Sequence, residues 1–535
     1  MKKWTNTYYH LAGIAILIGV FSISIFIRKD DLKSDLGRFH EWITAHSLVT
    51  FEIWNENGGP SAFGFNPVYT YPNKAHFPRK PMGGVTDKNG LHYYVSYPPF
   101  AFIIGYYSTK LLGGPDLRNI RAVNLLIHFL CGLIIYLILA EVMSRNKSYC
   151  FNVAGVVGAS VYFLSAGTLW AHGMLYFADM LEQLLLLCCI YLFARTLRKE
   201  LKRPGGLLTL IFITFFLAAY TEWLGVFYAF IAGLTLLILY FVHKRRLFLL
   251  AFVIIGISSS LAVSLTLFQY SSIAGKDKLE KAWSDKYAER SGHVTDDPKN
   301  PFHLNDEKTF KMVRKGIDRQ FAMAENLTGS VAIVLVLSLL YPVTRKKMKD
   351  LKLVILLFLP FLIVVFMHYY LFYNFNALHA FSAIKAGLVM SLFIALGSHL
   401  VLTAMPNIYF KLAYGIALPA LFLFKCITET ECYHEQFPIS DLDMNRVNSA
   451  KKIGQLSDPE KVIFTNMPFH PDYLYYSKRD LFNARDTSDI KFFMNLWQYN
   501  DAQYFVHEGS QLRYYVNVVY DNNILKLTDT SYINY

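Results

Sequence analysis

Long apolar runs alternate along the chain with short basic punctuations, and three large polar segments interrupt the alternation. The apolar runs approach the roughly twenty residues that an α-helix needs to cross a bilayer. Read on that length, spans fall at 8–27, 121–142, 150–168, 176–195, 206–221, 224–242, 246–267, 327–342, 352–371, 380–401 and 406–425. Segment 98–113 (PPFAFIIGYYSTKLLG) is also apolar, but it is short, contains Gly and is led by two prolines. Those features suit a helix lying in the interface, or re-entering, better than a span. The pattern predicts a polytopic α-helical membrane protein of about eleven transmembrane helices. The membrane part occupies 1–425, with a large first external loop at 28–120 and a second at 268–326. Region 426–535 holds β-like runs, Lys461–Thr465 and Ala502–Val506, between helical patterns, which predicts a small extracytoplasmic α/β domain.

Basic residues set the orientation. Arg195, Arg198, Lys199, Lys202 and Arg203 mark one connection as cytoplasmic, and Lys244, Arg245 and Arg246 a second. Arg345, Lys346, Lys347, Lys349 and Lys352 mark a third. The connections at 169–175, 221–223 and 372–379 hold no Lys or Arg and fall outside by the positive-inside rule. If 98–113 spanned, Arg145 and Lys147 would lie outside and the later clusters would break the pattern. The expected layout therefore has the N-terminus in the cytoplasm and the C-terminus outside a cytoplasmic (inner) membrane. The first run follows only Lys2 and Lys3 and is followed by no small-residue cleavage site, so it reads as a retained anchor.

Composition agrees with this layout. Charged residues make up 17% of the chain against about 25% in soluble domains. The net charge of +13 resides mostly in helix-end punctuation, which suits an anionic inner leaflet, and nucleic acid is not an expected partner. The 36 Tyr and 43 Phe suit interface belts and sites that hold sugars or lipids. Of the six cysteines, Cys131, Cys150, Cys188 and Cys189 lie in or beside apolar runs and read as packing residues. Cys426 and Cys432 read either as a pair in an oxidising compartment or as two thiols. There is no metal-ligand spacing, P-loop or dinucleotide fingerprint, which disfavours an ATP-driven pump.

The candidate chemistry gathers on the outer face. The first loop opens with Asp30, Asp31 and Asp35, then Arg38, His40, Glu41, Trp42 and His46. Its middle, Trp54–Tyr71, reads WNENGGPSAFGFNPVYTY, and it closes on Tyr93, Tyr94 and Tyr97-Pro98-Pro99. A carboxylate just above the membrane can take a proton from an attacking hydroxyl, and aromatic faces beside it can stack on sugar rings. Asp30 and Asp31 also read as solvated helix-end charges, and Asp35 as either catalytic or structural. Lys385 is an ionisable residue inside an apolar run, and it follows Asn374, Asn376 and His379 by one to three helical turns. It reads as a phosphate-binding cation or as a snorkelling lysine. Arg121 reads the same way or as a helix-end anchor. Asp179 and Glu182 share a helix face, with Asp179 either holding a substrate hydroxyl or capping the helix. Glu222 lies in a short outer connection, and His128 and His368 read as packing histidines.

The chain resembles the GT-C superfamily, whose members transfer sugars from polyprenyl-phosphate carriers on the external face. Within it, the protein O-mannosyltransferases and the aminoarabinose transferases of lipid A are the most similar branch. Those families have an acidic residue early in the first external loop, matched here by the Asp30, Asp31 and Asp35 group. Their Pro-Pro motif opening a juxtamembrane helix is matched by Tyr97-Pro98-Pro99-Phe100, and the Arg at the start of the next span by Arg121 in NIRAVNLL. A polar residue followed by Asp at the outer start of a later helix is matched by His172 and Asp179. The likeness covers residues 1–200 and the topology. It departs in lacking the superfamily's Asp-Glu pair and a Lys after Pro-Pro.

The resemblance implies a GT-C-like glycosyltransferase moving a sugar from a polyprenyl-phosphate carrier to a glycan, lipid or protein acceptor. In that reading Asp35, with Asp31 next, is the base. Lys385 and Arg121 neutralise the leaving phosphate, and His40, Tyr97, His172, Asp179, Glu222 and His379 line the substrate. No cofactor is expected and no dense carboxylate cluster calls for a metal, although a divalent ion at the Asp group stays open. Two alternatives come from other classes. A flippase of lipid-linked glycans predicts paired repeats and charges near the bilayer midplane, neither of which the pattern shows. A glycan polymerase or ligase shifts the chemistry to 268–326, with His293, Asp296, Asp297 and His303.

Overall fold

A computed structural model describes residues 2–71, 84–143, 152–197, 204–291, 307–317, 350–405, 437–439, 441–467, 470–497, 501–508, 511–521 and 524–534, with single positions between 336 and 417. In chain order the helices are α1 (Lys2–Ile27), α2 (Trp42–Glu56), α3 (Phe100–Leu111), α4 (Leu117–Met143), α5 (Val153–Leu164), α6 (Ala166–Met174), α7 (Ala178–Thr196), α8 (Gly205–Ala219) and α9 (Trp223–His243). They continue as α10 (Arg246–Ala274), α11 (Lys276–Ser291), α12 (307–317), α13 (Leu351–Leu371), α14 (Tyr373–Leu378) and α15 (Ile384–Ala404). The last three are α16 (Asp441–Leu456), α17 (Pro471–Ser477) and α18 (Thr487–Trp497). The chain divides into two compact units.

The first unit comprises Met1–Leu32, Arg121–Leu267 and Ser284–Phe437. Among the described residues of the chain, six helices are long and apolar enough to cross a membrane: His10–Ile27, Leu117–Val142, α9, α10, α13 and Ala380–Ala404. Helices α5 and α6 form a seventh if they are taken as one broken span, bent by 62°. The runs read at 176–195 and 206–221 are α7 and α8. Helix α8 is a shorter apolar helix, and α7 carries Asp179, Glu182 and Arg195 within its length. Most of the runs read at 327–342 and 406–425 lies outside the described residues, as do His293, Asp296, Asp297, His303, Cys150, Cys426 and Cys432. On the helix surfaces Phe26, Phe230, Phe241, Ile257 and Phe366 are exposed, the inverse of a bundle built for water.

The bend between α5 and α6 has a local cause. Ser165 takes an extended backbone, its hydroxyl donates to the Val161 carbonyl at 2.6 Å, and Thr168 Oγ1 donates to the Ser165 carbonyl at 2.8 Å. Thr168 Oγ1 also donates to the Tyr162 carbonyl, whose partner in a continuous helix would be the Ala166 amide. Asn124 of α4 serves the far end of α6, donating to Ala171 O at 2.9 Å and to Leu175 O. Close packing holds the bundle: a Cβ on Gly158 of α5 would lie 2.4 Å from Ala395 Cβ of α15.

The second unit comprises Lys33–Ile120, Phe268–Trp283 and Pro438–Tyr535, so first-loop and C-terminal residues share one body. Segment 98–113 forms α3, whose 12 residues are too few to cross a bilayer. A hairpin of β1 (Gly84–Thr86) and β2 (His92–Tyr94) turns at Asp87, whose Oδ1 accepts from the Asn89 and Leu91 amides. The C-terminal residues form a five-stranded sheet in the order β4-β3-β5-β6-β7. Its strands are β3 (Val462–Thr465), β4 (Leu481–Asn483), β5 (Asp501–Glu508), β6 (Gln511–Asp521) and β7 (Ile524–Asn534). Strand β3 runs parallel to β4 and β5, while β6 and β7 are antiparallel.

Side-chain alternation gives this sheet two apolar faces. Val462, Phe464, Phe482, Ala502 and Tyr504 pack with Ile490 and Met494 of α18. Ile463, Leu481 and Phe505 pack with Ala450 and Ile453 of α16 and Tyr473 of α17. The β5–β6 register shifts between Ala502 and Tyr504, so that Ala502 faces Val518 and Tyr504 faces Tyr515. One extra residue on β6 therefore lets Leu512 and Val518, both at even positions, join opposite faces.

Candidate functional site

Four helix ends in the first unit bring buried charge together. Asp179 and Glu182 occupy the first turn and a half of α7, and Glu222 caps α9 by accepting from the Leu224 amide. Carboxylates suit both positions because helix N-termini carry partial positive charge. His368 closes α13 and Lys385 opens α15. Lys385 Nζ lies 3.2 Å from His368 Nδ1, and His368 Nε2 lies 3.6 Å from Glu222 Oε1. An ammonium only donates, so Nδ1 accepts and the neutral ring keeps its proton on Nε2, toward Glu222. Asp179 and Glu222 both lie within electrostatic reach of Lys385 and of Arg290, near the end of α11. All five are buried: Asp179 is 5% exposed, Glu222 and Lys385 3%, Glu182 and His368 1%. Charge so deeply buried persists only when it is paired. Glu182 lies against Gly225, where a Cβ would come within 2.8 Å of its Oε1.

The polar residues read together with Lys385 make other contacts. Asn374 Nδ2 donates to Glu289 O at 2.6 Å, and Asn376 Nδ2 donates to Phe372 O at 2.7 Å. His379 lies against the rings of Phe375 and Phe381, with centroids 4.7 and 5.2 Å away. Arg121 is buried and donates to Leu32 O at 3.3 Å, and Asp31 is buried in a short 3₁₀ turn.

His172 belongs to a second buried network in the same unit. Its Nε2 lies 2.7 Å from Tyr162 Oη, its Nδ1 lies 3.2 Å from Asn124 Oδ1, and its ring stacks on His128 at 4.8 Å. Tyr162 donates to Gln183 Oε1 at 2.7 Å. His128 Nδ1 lies 3.2 Å from Arg28, a fully buried arginine that also donates to Leu169 O and Ser24 O, both at 3.0 Å. Arg28 is absent from the residues singled out in the sequence. Its signal was an arginine ending the first apolar run, where an ionisable group counts as a site candidate.

In the second unit Asp35 is 40% exposed on its side chain, and Oδ2 lies 2.7 Å from Lys451 Nζ of α16. Its Oδ1 accepts from Tyr476 Oη of α17 at 3.3 Å. Burial pushes the Tyr476 phenol up, so it stays protonated as a donor. Trp42 Nε1 donates to His40 Nδ1 at 3.2 Å, and the Trp42 ring meets His470 edge-on at 6.1 Å. His470 Nδ1 lies 2.9 Å from Asp472 Oδ2. Tyr97 is buried, stacks on Tyr94 and accepts from Tyr270 at its carbonyl. Burial, with His92 nearby, holds His46 down to about 3 among Tyr69, Tyr94 and Phe102. Glu52 accepts from Tyr71 Oη at 2.5 Å and pairs with Lys478; burial raises its carboxyl even so. Among the described residues, no group of three or more His, Cys, Asp or Glu side chains is placed to hold a metal ion.

The fold, a multi-helix membrane-type bundle and a mixed α/β unit, is shared with solved structures of GT-C superfamily members. The sequence matches no family model and no curated protein. Solved structures do match. The Archaeoglobus fulgidus oligosaccharyltransferase, in complex with Zn and sulfate, aligns with TM-score 0.56 at 14% identity over 92% of this chain and 68% of its own. The archaeal oligosaccharyltransferase AglB from the same organism, in complex with an inhibitory peptide and a dolichol-phosphate, gives 0.52 at 12% identity over 94% and 70%. ArnT from Cupriavidus metallidurans gives 0.51 in the apo state at 12% identity over 94% and 93%, and 0.50 when bound to undecaprenyl phosphate.

Proposed function

We propose that the protein is a membrane glycosyltransferase that moves a sugar from a polyprenyl-phosphate carrier to an acceptor on the extracytoplasmic face of the cytoplasmic membrane. The observation that carries this reading is Lys385, buried at a helix end and held by His368 with Asp179 and Glu222 within reach. A buried ammonium fixed among carboxylates is a ready partner for a carrier phosphate, and it neutralises charge as that phosphate leaves. The polyprenyl-phosphate-type lipids bound by AglB and by ArnT, on the same fold, support this ligand class. The buried charges gather at helix ends, which suits chemistry at an interface better than transport through the midplane. Asp35 is the candidate base for the acceptor hydroxyl, with Asp31 next.

The test uses the purified protein with a panel of radiolabelled polyprenyl-phosphate sugars and cell-envelope extract as the acceptor source. Wild type is expected to release free polyprenyl phosphate, Lys385→Met to lose carrier binding, and Asp35→Asn to bind carrier without turnover. Failure to release with every donor sinks the transferase reading. Turnover surviving in Asp35→Asn moves the base to another residue.

A further inference from the structure

The C-terminal segment reaches back to the candidate base. Residues 35–41 form a turn held within the second unit from several sides. Glu41 Oε2 accepts from the Gly37 and Arg38 amides at 2.8 and 2.7 Å, and Arg38 bridges to Ile439. Met444 packs so closely on Gly37 that a Cβ there would lie 2.3 Å from its Sδ. Asp35 itself is gripped at both oxygens, by Lys451 Nζ at 2.7 Å and by Tyr476 Oη at 3.3 Å. Tyr476 Oη in turn accepts from the Leu36 amide at 2.8 Å, and Lys451 Nζ lies 5.1 Å over the Tyr476 ring. The hydroxyl therefore spends its single proton on Asp35 and its lone pair on the neighbouring amide, which fixes the carboxylate's orientation.

We propose that Lys451 and Tyr476 are positioning residues for Asp35, so that the C-terminal segment completes the base site of the first loop. This rests on the reading of Asp35 as the base. Lys451 holds the carboxylate's Oδ2 in place through an ion pair at 2.7 Å. Tyr476 aims it, and the side chain's partial exposure leaves it open to an acceptor hydroxyl. In the transfer step the acceptor oxygen bonds to the anomeric carbon, the bond from that carbon to the carrier phosphate breaks with its electron pair on phosphate, and Asp35 takes the hydroxyl proton.

The experiment measures kcat, KM and carrier binding in full-length wild type, Asp35→Asn, Lys451→Met, Lys451→Arg and Tyr476→Phe, with thermal midpoints alongside. Lys451→Met is expected to lose about ten- to a hundredfold in kcat with carrier binding unchanged. Lys451→Arg restores most of that kcat, and Tyr476→Phe lowers kcat with carrier binding unchanged. Wild-type kcat in folded Lys451→Met, with Asp35→Asn inactive, overturns the proposal and leaves Asp35 as base. If Lys451→Met fails to fold, Tyr476→Phe decides by the same split, and wild-type kcat in it overturns the proposal. Wild-type turnover in Asp35→Asn instead overturns the reading beneath it.

Discussion

Single residues in this protein are governed by the cost of burying charge. Lys385, His368, Glu222 and Asp179 sit where water is excluded, so removing one member strands the others. Lys385→Met is expected to cost about 3–5 kcal/mol of stability. The double variant Lys385→Met with Asp179→Asn should cost less than the single one. Thermal unfolding in detergent checks this, and equal losses would show that the two charges do not compensate each other. His46 makes a pH-dependent case. It is neutral in the folded protein, held down to about 3, while the unfolded chain protonates it near the ordinary histidine value of 6.5. Its contribution is present above that value and is lost as pH falls toward 3. At pH 5 the loss relative to pH 7 is about 2 kcal/mol. The stability gap between wild type and His46→Gln should narrow by that amount, and a constant gap would refute the assignment.

At the scale of elements, backbone approach matters more than propensity. Helices α5 and α15 meet at Gly158, where an added Cβ has no room beside Ala395 and the Ser391 carbonyl. Gly158→Ala is therefore expected to cost about 1–3 kcal/mol through overpacking. On α10, Gly256 has nothing within 4 Å of such a Cβ and is exposed. Gly256→Ala should leave the thermal midpoint unchanged or raise it slightly, since Ala outranks Gly in a helix by up to about 1 kcal/mol. Equal midpoints for the two variants would remove the packing explanation. The same close approach escapes a reading of periodicity, because glycine in an apolar run counts toward the span and not toward its neighbour. The broken α5–α6 pair was legible only as one run at 150–168. Nothing in its hydropathy separates a straight helix from one whose Ser165 and Thr168 hydroxyls take up backbone carbonyls.

For the whole molecule, the prediction concerns sidedness. With basic clusters inside, the positive-inside rule predicts an N-terminus in the cytoplasm and a C-terminal sheet outside. A single cysteine at Ser488, an exposed position in the first turn of α18, placed in a cysteine-free background, should react with a membrane-impermeant maleimide on intact spheroplasts. Reaction only after permeabilisation would reverse the orientation and move the proposed chemistry to the other face.

Apolar run length and helix-end charge were enough to predict a helical membrane protein and a non-spanning segment at 98–113, and β-like runs at 461–465 and 502–506 fall on the strands at 462–465 and 501–508. These are local properties: a bilayer imposes a minimum length, a sheet imposes a period of two, and both are written in consecutive residues. Lys385 and Asp179 stood out for the same reason, as charges in or beside apolar runs. Their grouping with His368 and Glu222 did not, because helices distant in sequence had to pack before those ends could meet. Likewise, the contacts of Lys451 and Tyr476 with Asp35 span more than four hundred residues. No periodicity carries information over that distance; only the folded second unit, which packs the first-loop turn against α16 and α17, brings Asp35 and its partners together.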